Sequence, residues 1–179
     1  LDFVYPEQLE AAVKLLADCD VAVDFPMDQS CCGLPVEMMG EKEAAVAVAH
    51  QNLTAIHPEP YDYILTLCAS CGSHLKKAYP RLLENDSSVQ ATVKAFTDKI
   101  IPFSLFVNDV LELKETDFAP GDQKATFHAP CHLCRGLGIT QAPHDLIRKA
   151  GYDFVPAAEE QTCCGFGGVF AAQHPDLAR

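Results

Sequence analysis

Two pairs of adjacent cysteines carry the chemistry legible in this chain, Ser30-Cys31-Cys32-Gly33 and Thr162-Cys163-Cys164-Gly165, each preceded by a glutamine. Neighbouring cysteines rarely bond to one another, so a repeated pair points to a shared ligand. Each pair also has a Cys-x-x-Cys partner at long range: Cys68-Ala-Ser-Cys71 follows the first, and Cys131-His-Leu-Cys134 precedes the second. Thiolates are soft donors that suit iron–sulfur clusters, zinc and copper(I), and such groups need several sulfurs held a few ångströms apart. More than thirty residues separate Cys32 from Cys68, and Cys131 from Cys163. Each site must therefore be closed by a fold, unlike a zinc ribbon, whose two knuckles lie close in sequence.

The elements that have to position these sulfurs follow from periodicity. Pro6 to Asp18 places Leu9, Ala12, Val13 and Leu16 on one helical face, with Pro6 suited to the first turn. Val21–Phe25 reads as a short strand leading into the first cysteine pair. Glu41 to Ile56 reads as a helix with Val46, Ala49, Leu53 and Ile56 as its buried stripe, and Tyr61–Leu67 as a buried strand. Cys68 to Cys71 then falls at a strand end before a helix, where an open α/β architecture places its ligands. Asn85–Ser88 is a turn, Val89–Asp98 and Ser104–Leu113 read as helices, and Thr116–Gln123 as a polar linker. The pattern then restarts, with a strand at Lys124–His128, a helix at Pro143–Ala150, a strand at Tyr152–Val155 and Gln161-Thr-Cys-Cys-Gly165 at the close. Strand, proline-started helix, strand and Gln-[Ser/Thr]-Cys-Cys-Gly thus occur twice, which implies an internal duplication.

Bulk properties exclude several classes. The 179 residues suffice for one large domain or two small ones. With 13 basic residues against 25 acidic ones, a formal charge of −12 argues against a nucleic-acid backbone or an anionic membrane surface as partner. The longest apolar stretch, Ile100 to Val107, falls short of the roughly 20 residues that a membrane span needs, and no signal peptide is evident. Nine cysteines, an odd number grouped in pairs, do not form a secreted disulfide framework and point to a reducing cytosol.

Taken together, Gln-[Ser/Thr]-Cys-Cys-Gly in duplicate with its long-range cysteines resembles the cysteine-rich "CCG" domain. That domain occurs in heterodisulfide reductases, in the iron–sulfur component of glycolate oxidase, in lactate-utilisation protein A and in the anaerobic glycerol-3-phosphate dehydrogenase. His128-Ala-Pro-Cys131-His132, Cys163-Cys-Gly-Phe-Gly-Gly168 and His174-Pro-Asp-Leu-Ala-Arg179 are most similar to the glycolate and lactate branches. The resemblance implies an α/β fold of two pseudo-repeated, Rossmann-like halves, residues 1–115 and 124–179, with cysteine motifs at strand ends. It implies Cys31, Cys32, Cys68 and Cys71 as ligands in the first half and Cys131, Cys163 and Cys164 in the second, holding one or two [4Fe-4S] clusters. By the same pattern a further cysteine would fall just before Leu1 and a second Cys-x-x-Cys beyond Arg179, so each repeat reads as truncated at its outer end. Glycine amides at Gly33, Gly72, Gly165, Gly167 and Gly168 are expected near the sulfurs.

The function so implied is an electron-transferring iron–sulfur component of a lactate or glycolate dehydrogenase or oxidase. A flavin-containing subunit would remove the hydride, further iron–sulfur subunits would accept electrons, and partner subunits would supply any contact with a membrane. No general base, nucleophile or flavin site is evident in the sequence. Two other functions remain open: a heterodisulfide-reductase-like catalytic subunit that cleaves a disulfide at its clusters, and a structural protein holding zinc. The residues also allow plainer readings, buried apolar cysteines for the pairs and a thioredoxin-like dithiol for Cys68–Cys71. Cys19 reads as packing, Cys134 is left outside the expected ligand set with its role open, and His128 and His132 read as members of local hydrogen-bond networks rather than ligands. His50, His57, His74, His144 and His174 belong to no motif.

Overall fold

The computed structural model describes residues 5–119 and 121–178. Helices predominate, with two small parallel sheets, an α/β arrangement. Helix α1 (Pro6–Asp18) starts with proline at its first position and buries Ala12 and Leu16, while Val13 turns outward. A short α2 (Leu34–Met38) follows Gly33, and α3 (Lys42–Ala55) buries Ala45, Ala49, Asn52 and Leu53. Its inward face is thus turned slightly from the expected stripe, with Val46 and Ile56 at the margin of the core.

Strand β1 (Ile64–Thr66) leads through Cys68 into α4 (Ala69–Leu82), followed by α5 (Gln90–Lys99) and β2 (Ile100–Pro102). The two strands pair in parallel, Ile64 opposite Ile100 and Thr66 opposite Pro102, with α4 and α5 forming the crossover. After α6 (Phe103–Leu105) and a π-helical turn at Phe106–Val110, a second pair forms from β3 (Lys124–Ala125) and β4 (Asp153–Phe154). Between them come a π-helical turn at His132–Gly136 and α7 (Gln141–Lys149), and α8 (Val169–Gln173) is the last helix of the described chain.

The main core gathers Ala49, Leu53, Ile64, Leu75, Tyr79, Leu83, Phe96 and Ile100 between α3, α4, α5 and the β1–β2 pair. A much smaller cluster of Leu133, Ile139 and Ala142 serves the second part and is completed by Ala69, Leu105, Phe127 and Leu137. Val21–Phe25, expected as a strand, has no strand partner, and Val23 and Phe25 lie half exposed. Its alternation met no neighbouring ladder, and a strand without one leaves its backbone groups unpaired. The expected strands at Tyr61–Leu67, Lys124–His128 and Tyr152–Val155 shorten to β1, β3 and β4. Among the described residues, no helix is long and apolar enough to cross a membrane.

Candidate metal centre

Four cysteine thiols meet at the start of α4. Cys68 caps the helix at the end of β1, Cys71 occupies its first turn, and the loop carrying Cys31 and Cys32 lies against that turn. Cys71 hydrogen-bonds with both Cys68 and Cys32, and Cys32 also with Cys31. The hydrogen bond from Cys71 is the main reason the Cys68 thiol falls to about 4, helped by Ser70 and by the backbone N–H groups of Cys71 and Ser70. The Ser70 hydroxyl lies 3.2 Å from Cys68 Sγ. A helix N-terminus adds favourable partial positive charge to such a thiolate. Cys32 falls to about 7, through Cys71 first and with help from the Leu34 amide, whereas its place between the sulfurs of Cys32 and Cys68 pushes Cys71 strongly up.

The loop bearing Cys31 and Cys32 is held from beneath by two buried side chains. Asn52, 2% exposed, accepts from the Ser30 amide at 2.8 Å and donates to the Cys31 carbonyl at 3.0 Å and to the Tyr79 hydroxyl at 2.8 Å. Tyr79, fully buried, in turn donates to the Cys32 carbonyl at 3.2 Å. Gly33 then turns the chain into α2 with φ +90°, and an added Cβ would stand 3.1 Å from Val48 Cγ1, so the reversal needs glycine.

The second set is less gathered. Cys131 precedes the π-helical turn and hydrogen-bonds with Cys163, and desolvation followed by the charge of Cys163 raises its thiol. Cys164 is exposed beside Cys163. The Cys163 loop is fastened by His128 Nε2, which donates to the Thr162 carbonyl at 2.9 Å, and by Arg135, which donates to the Gln161 carbonyl at 2.9 Å. His128 thus completes a local network. Cys134 is buried, its thiol directed at the Ala129 and Cys131 carbonyls, and Cys19 ends α1. Gly165 places its amide 3.4 Å from Cys163 Sγ. In the first set the amides that reach sulfur belong to Leu34, Ser70 and Cys71 instead of the expected Gly33 and Gly72.

Among the described residues, no three or more His, Cys, Asp or Glu side chains stand in an arrangement that could already hold a metal ion. The thiols of the first set share protons with one another instead, and their type fits a thiolate-ligated group once those protons leave. Neither Asn52 nor Tyr79 belongs to a sequence motif, and sequence reasoning passed over both. The signal that could have found them was an asparagine on the inward stripe of a helix, since a buried amide must find partners.

A strand-end and helix-start grouping of thiols inside an α/β scaffold defines a cysteine-rich class of protein. The cysteine-rich domain model (CCG) matches residues 1–76 and 125–179, and the chain belongs to that family. It is 36% identical to lactate utilization protein A of Geobacillus sp. (strain WCH70), over 97% of this chain and 71% of the relative. It is 34% identical to lactate utilization protein A of Exiguobacterium sp. (strain ATCC BAA-1283 / AT1b), over 99% of this chain and 72% of that relative. No solved structure matches the chain.

The unequal thiols make a direct prediction for the metal-free chain. With its thiol at about 4, Cys68 is a thiolate throughout neutral and mildly acidic solution and loses that state only as pH falls through that value. Cys71, shifted the other way, stays protonated. Iodoacetamide at pH 6 is therefore expected to label Cys68 well before Cys71, read by peptide mass spectrometry. Equal labelling of the two would contradict the described hydrogen-bond order.

Proposed function

We propose that this chain is the iron–sulfur electron-transfer component of a 2-hydroxyacid dehydrogenase or oxidase complex, with lactate favoured over glycolate. The observation that carries the reading is the meeting of Cys31, Cys32, Cys68 and Cys71 at the head of α4. These four would hold one [4Fe-4S] cluster, and Cys131, Cys163 and Cys164 would contribute to a second. Bound there, a cluster supplies a one-electron store whose potential follows from charge, hydrogen bonds to sulfur and exposure. The chain's own part is to bind and orient. Asn52 and Tyr79 fix the loop, the amides of Leu34, Ser70 and Cys71 stabilise charge on sulfur, and Cys71 must give up its proton before it can ligate.

The relatives named for lactate utilization favour the lactate branch. The two parts of the chain read as one duplicated unit. In each, the glycine after the cysteine pair is left-handed, φ +90° at Gly33 and +75° at Gly165, and the first cysteine of the Cys-x-x-Cys precedes a helical turn. A flavin-containing subunit would deliver electrons to this chain and other iron–sulfur subunits would remove them, in the cytoplasm or at a membrane reached through those partners.

Anaerobic purification of the full-length protein, with iron, acid-labile sulfide and zinc measured beside an electron paramagnetic resonance spectrum, tests the assignment. Roughly four iron and four sulfide per occupied site are expected. Zinc without iron or sulfide would replace electron transfer with a structural role. Iron accompanied by turnover of a disulfide at the cluster would replace it with disulfide reduction.

A further inference from the structure

The loop that carries Cys163 and Cys164 turns one side chain inward. From Val155 to Cys164 every residue is exposed except Glu160. With no apolar side chain to anchor it, hydrogen bonds must hold the loop in place. Three consecutive carbonyls accept them, and all three donors come from the segment around Cys131. Ala129 donates its amide to the Glu160 carbonyl, Arg135 its guanidinium to that of Gln161 and His128 its Nε2 to that of Thr162, each at 2.9 Å. The Arg135 and His128 bonds lie in the open, where water competes for both partners and little is lost when they break. The sheltered bonds are those at Glu160.

Glu160 makes a second bond there, through its carboxylate. His144 Nε2 donates to Glu160 Oε1, and the two side chains are each only 15% exposed. A carboxylate only accepts, so the ring proton that fills this bond sits on Nε2. The imidazole has little freedom to turn away. It stands on α7 against Phe154, with ring centroids 4.6 Å apart, and against Phe127, at 5.7 Å, while the Arg148 guanidinium lies 4.7 Å over the Phe154 ring. A fixed ring on a helix thus grips the inward residue of the loop, three places before Cys163.

We propose that His144 and Glu160 are positioning residues that hold Cys163 beside Cys131, a role at the metal centre that rests on these cysteines being ligands. The pair acts through the backbone between Glu160 and Cys163. Deprived of its donor, the half-buried Glu160 carboxylate has to turn out to water, because an unpaired charge is costly to keep inside. The exposed Arg135 and His128 bonds are too weak to stop the loop from following, and Cys163 moves away from Cys131.

Dibromobimane, which bridges two thiols only when they lie a few ångströms apart, reads this placement on the metal-free full-length protein, with the cross-links assigned by peptide mass spectrometry. The Cys131–Cys163 link should form in the wild type, where the two thiols hydrogen-bond, and the Cys32–Cys71 link serves as an internal reference. His144→Phe keeps an aromatic ring on α7 but leaves Glu160 without its donor, and the Cys131–Cys163 yield is expected to fall roughly fivefold or more while the reference holds. Glu160→Gln keeps an acceptor for the ring and should stay within about twofold of the wild type, a rescue that a general loss of stability would not give. Should His144→Phe fail to fold, by circular dichroism, Glu160→Ala set against Glu160→Gln puts the same question. In folded protein, an unchanged Cys131–Cys163 yield, a reference that falls with it, or Glu160→Gln failing as badly would each overturn the proposal. After anaerobic purification His144→Phe should lack iron at the second site alone, and iron equal to the wild type would overturn the role at the metal centre. Wild-type protein that takes up no iron would instead defeat the ligand reading, with the cross-link still judging the placement of the loop.

Discussion

Replacing Cys68 with serine is expected, on the proposed function, to keep the first site from holding a cluster and to stop electron flow through the chain. The effect should be close to complete. Cys68 is the most readily ionised thiol of the set, and Cys71 stands between it and Cys32. A serine hydroxyl stays protonated at neutral pH and is a hard, poor donor to iron or zinc, so the remaining sulfurs lose their anchor. Iron and sulfide measured after anaerobic purification, with visible absorbance, check the result. Cys19→Ser is the matched control, because Cys19 ends α1 and hydrogen-bonds through its backbone. Cys68→Ser protein with unchanged iron, absorbance and turnover would remove this residue from the proposed ligands.

The second large effect belongs to Asn52, which touches no sulfur. Asn52→Leu keeps the size of the side chain but leaves the Ser30 amide and the Cys31 carbonyl without their buried partner, and takes one bond from the Tyr79 hydroxyl. Each unsatisfied buried group costs about 1–3 kcal/mol. Since Tyr79 keeps its bond to the Cys32 carbonyl and some groups will reach water, the expected loss is about 2–4 kcal/mol in all. Urea unfolding of the metal-free chain measures it. Metal uptake should weaken in parallel, because the loop presenting Cys31 and Cys32 loses its underside. A loss below roughly 0.5 kcal/mol, the range of an ordinary surface substitution, would mean that the loop holds its shape without this amide.

What the sequence made legible was the chemistry, through residue types that are rare elsewhere and through a spacing that repeats. Cys31, Cys32, Cys68 and Cys71 were grouped by their repeated motif spacing and by the family resemblance, and the strand-end, helix-start place of Cys68 and Cys71 followed from local periodicity. The helices were readable for the same reason, and α1 and α3 lie near where their apolar stripes put them, with α7 close to its expected range. Val21–Phe25 misled because alternation describes a residue's preference, whereas a strand also requires a neighbour with free backbone groups. Asn52, Tyr79 and His74 were invisible for a different reason. Their partners, among them the Cys31 and Cys32 carbonyls and the Glu37 carboxylate, are brought close by tertiary packing, and no spacing along the chain encodes those meetings.

The asymmetry of the two apolar clusters has a consequence for how the two proposed halves can be separated. Leu133, Ile139 and Ala142 are too few to order their half by themselves, and they lean on Ala69 at the head of α4 and on Leu105. The π-helical turn meets α4 so tightly that a methyl group on Gly136 would come within 2.6 Å of Ser73 Oγ. The later half therefore borrows its shape from the earlier one. Cut apart, the two would not be equals: the first would keep a foundation, and the second would be left as a tether for cysteines with nothing to stand on.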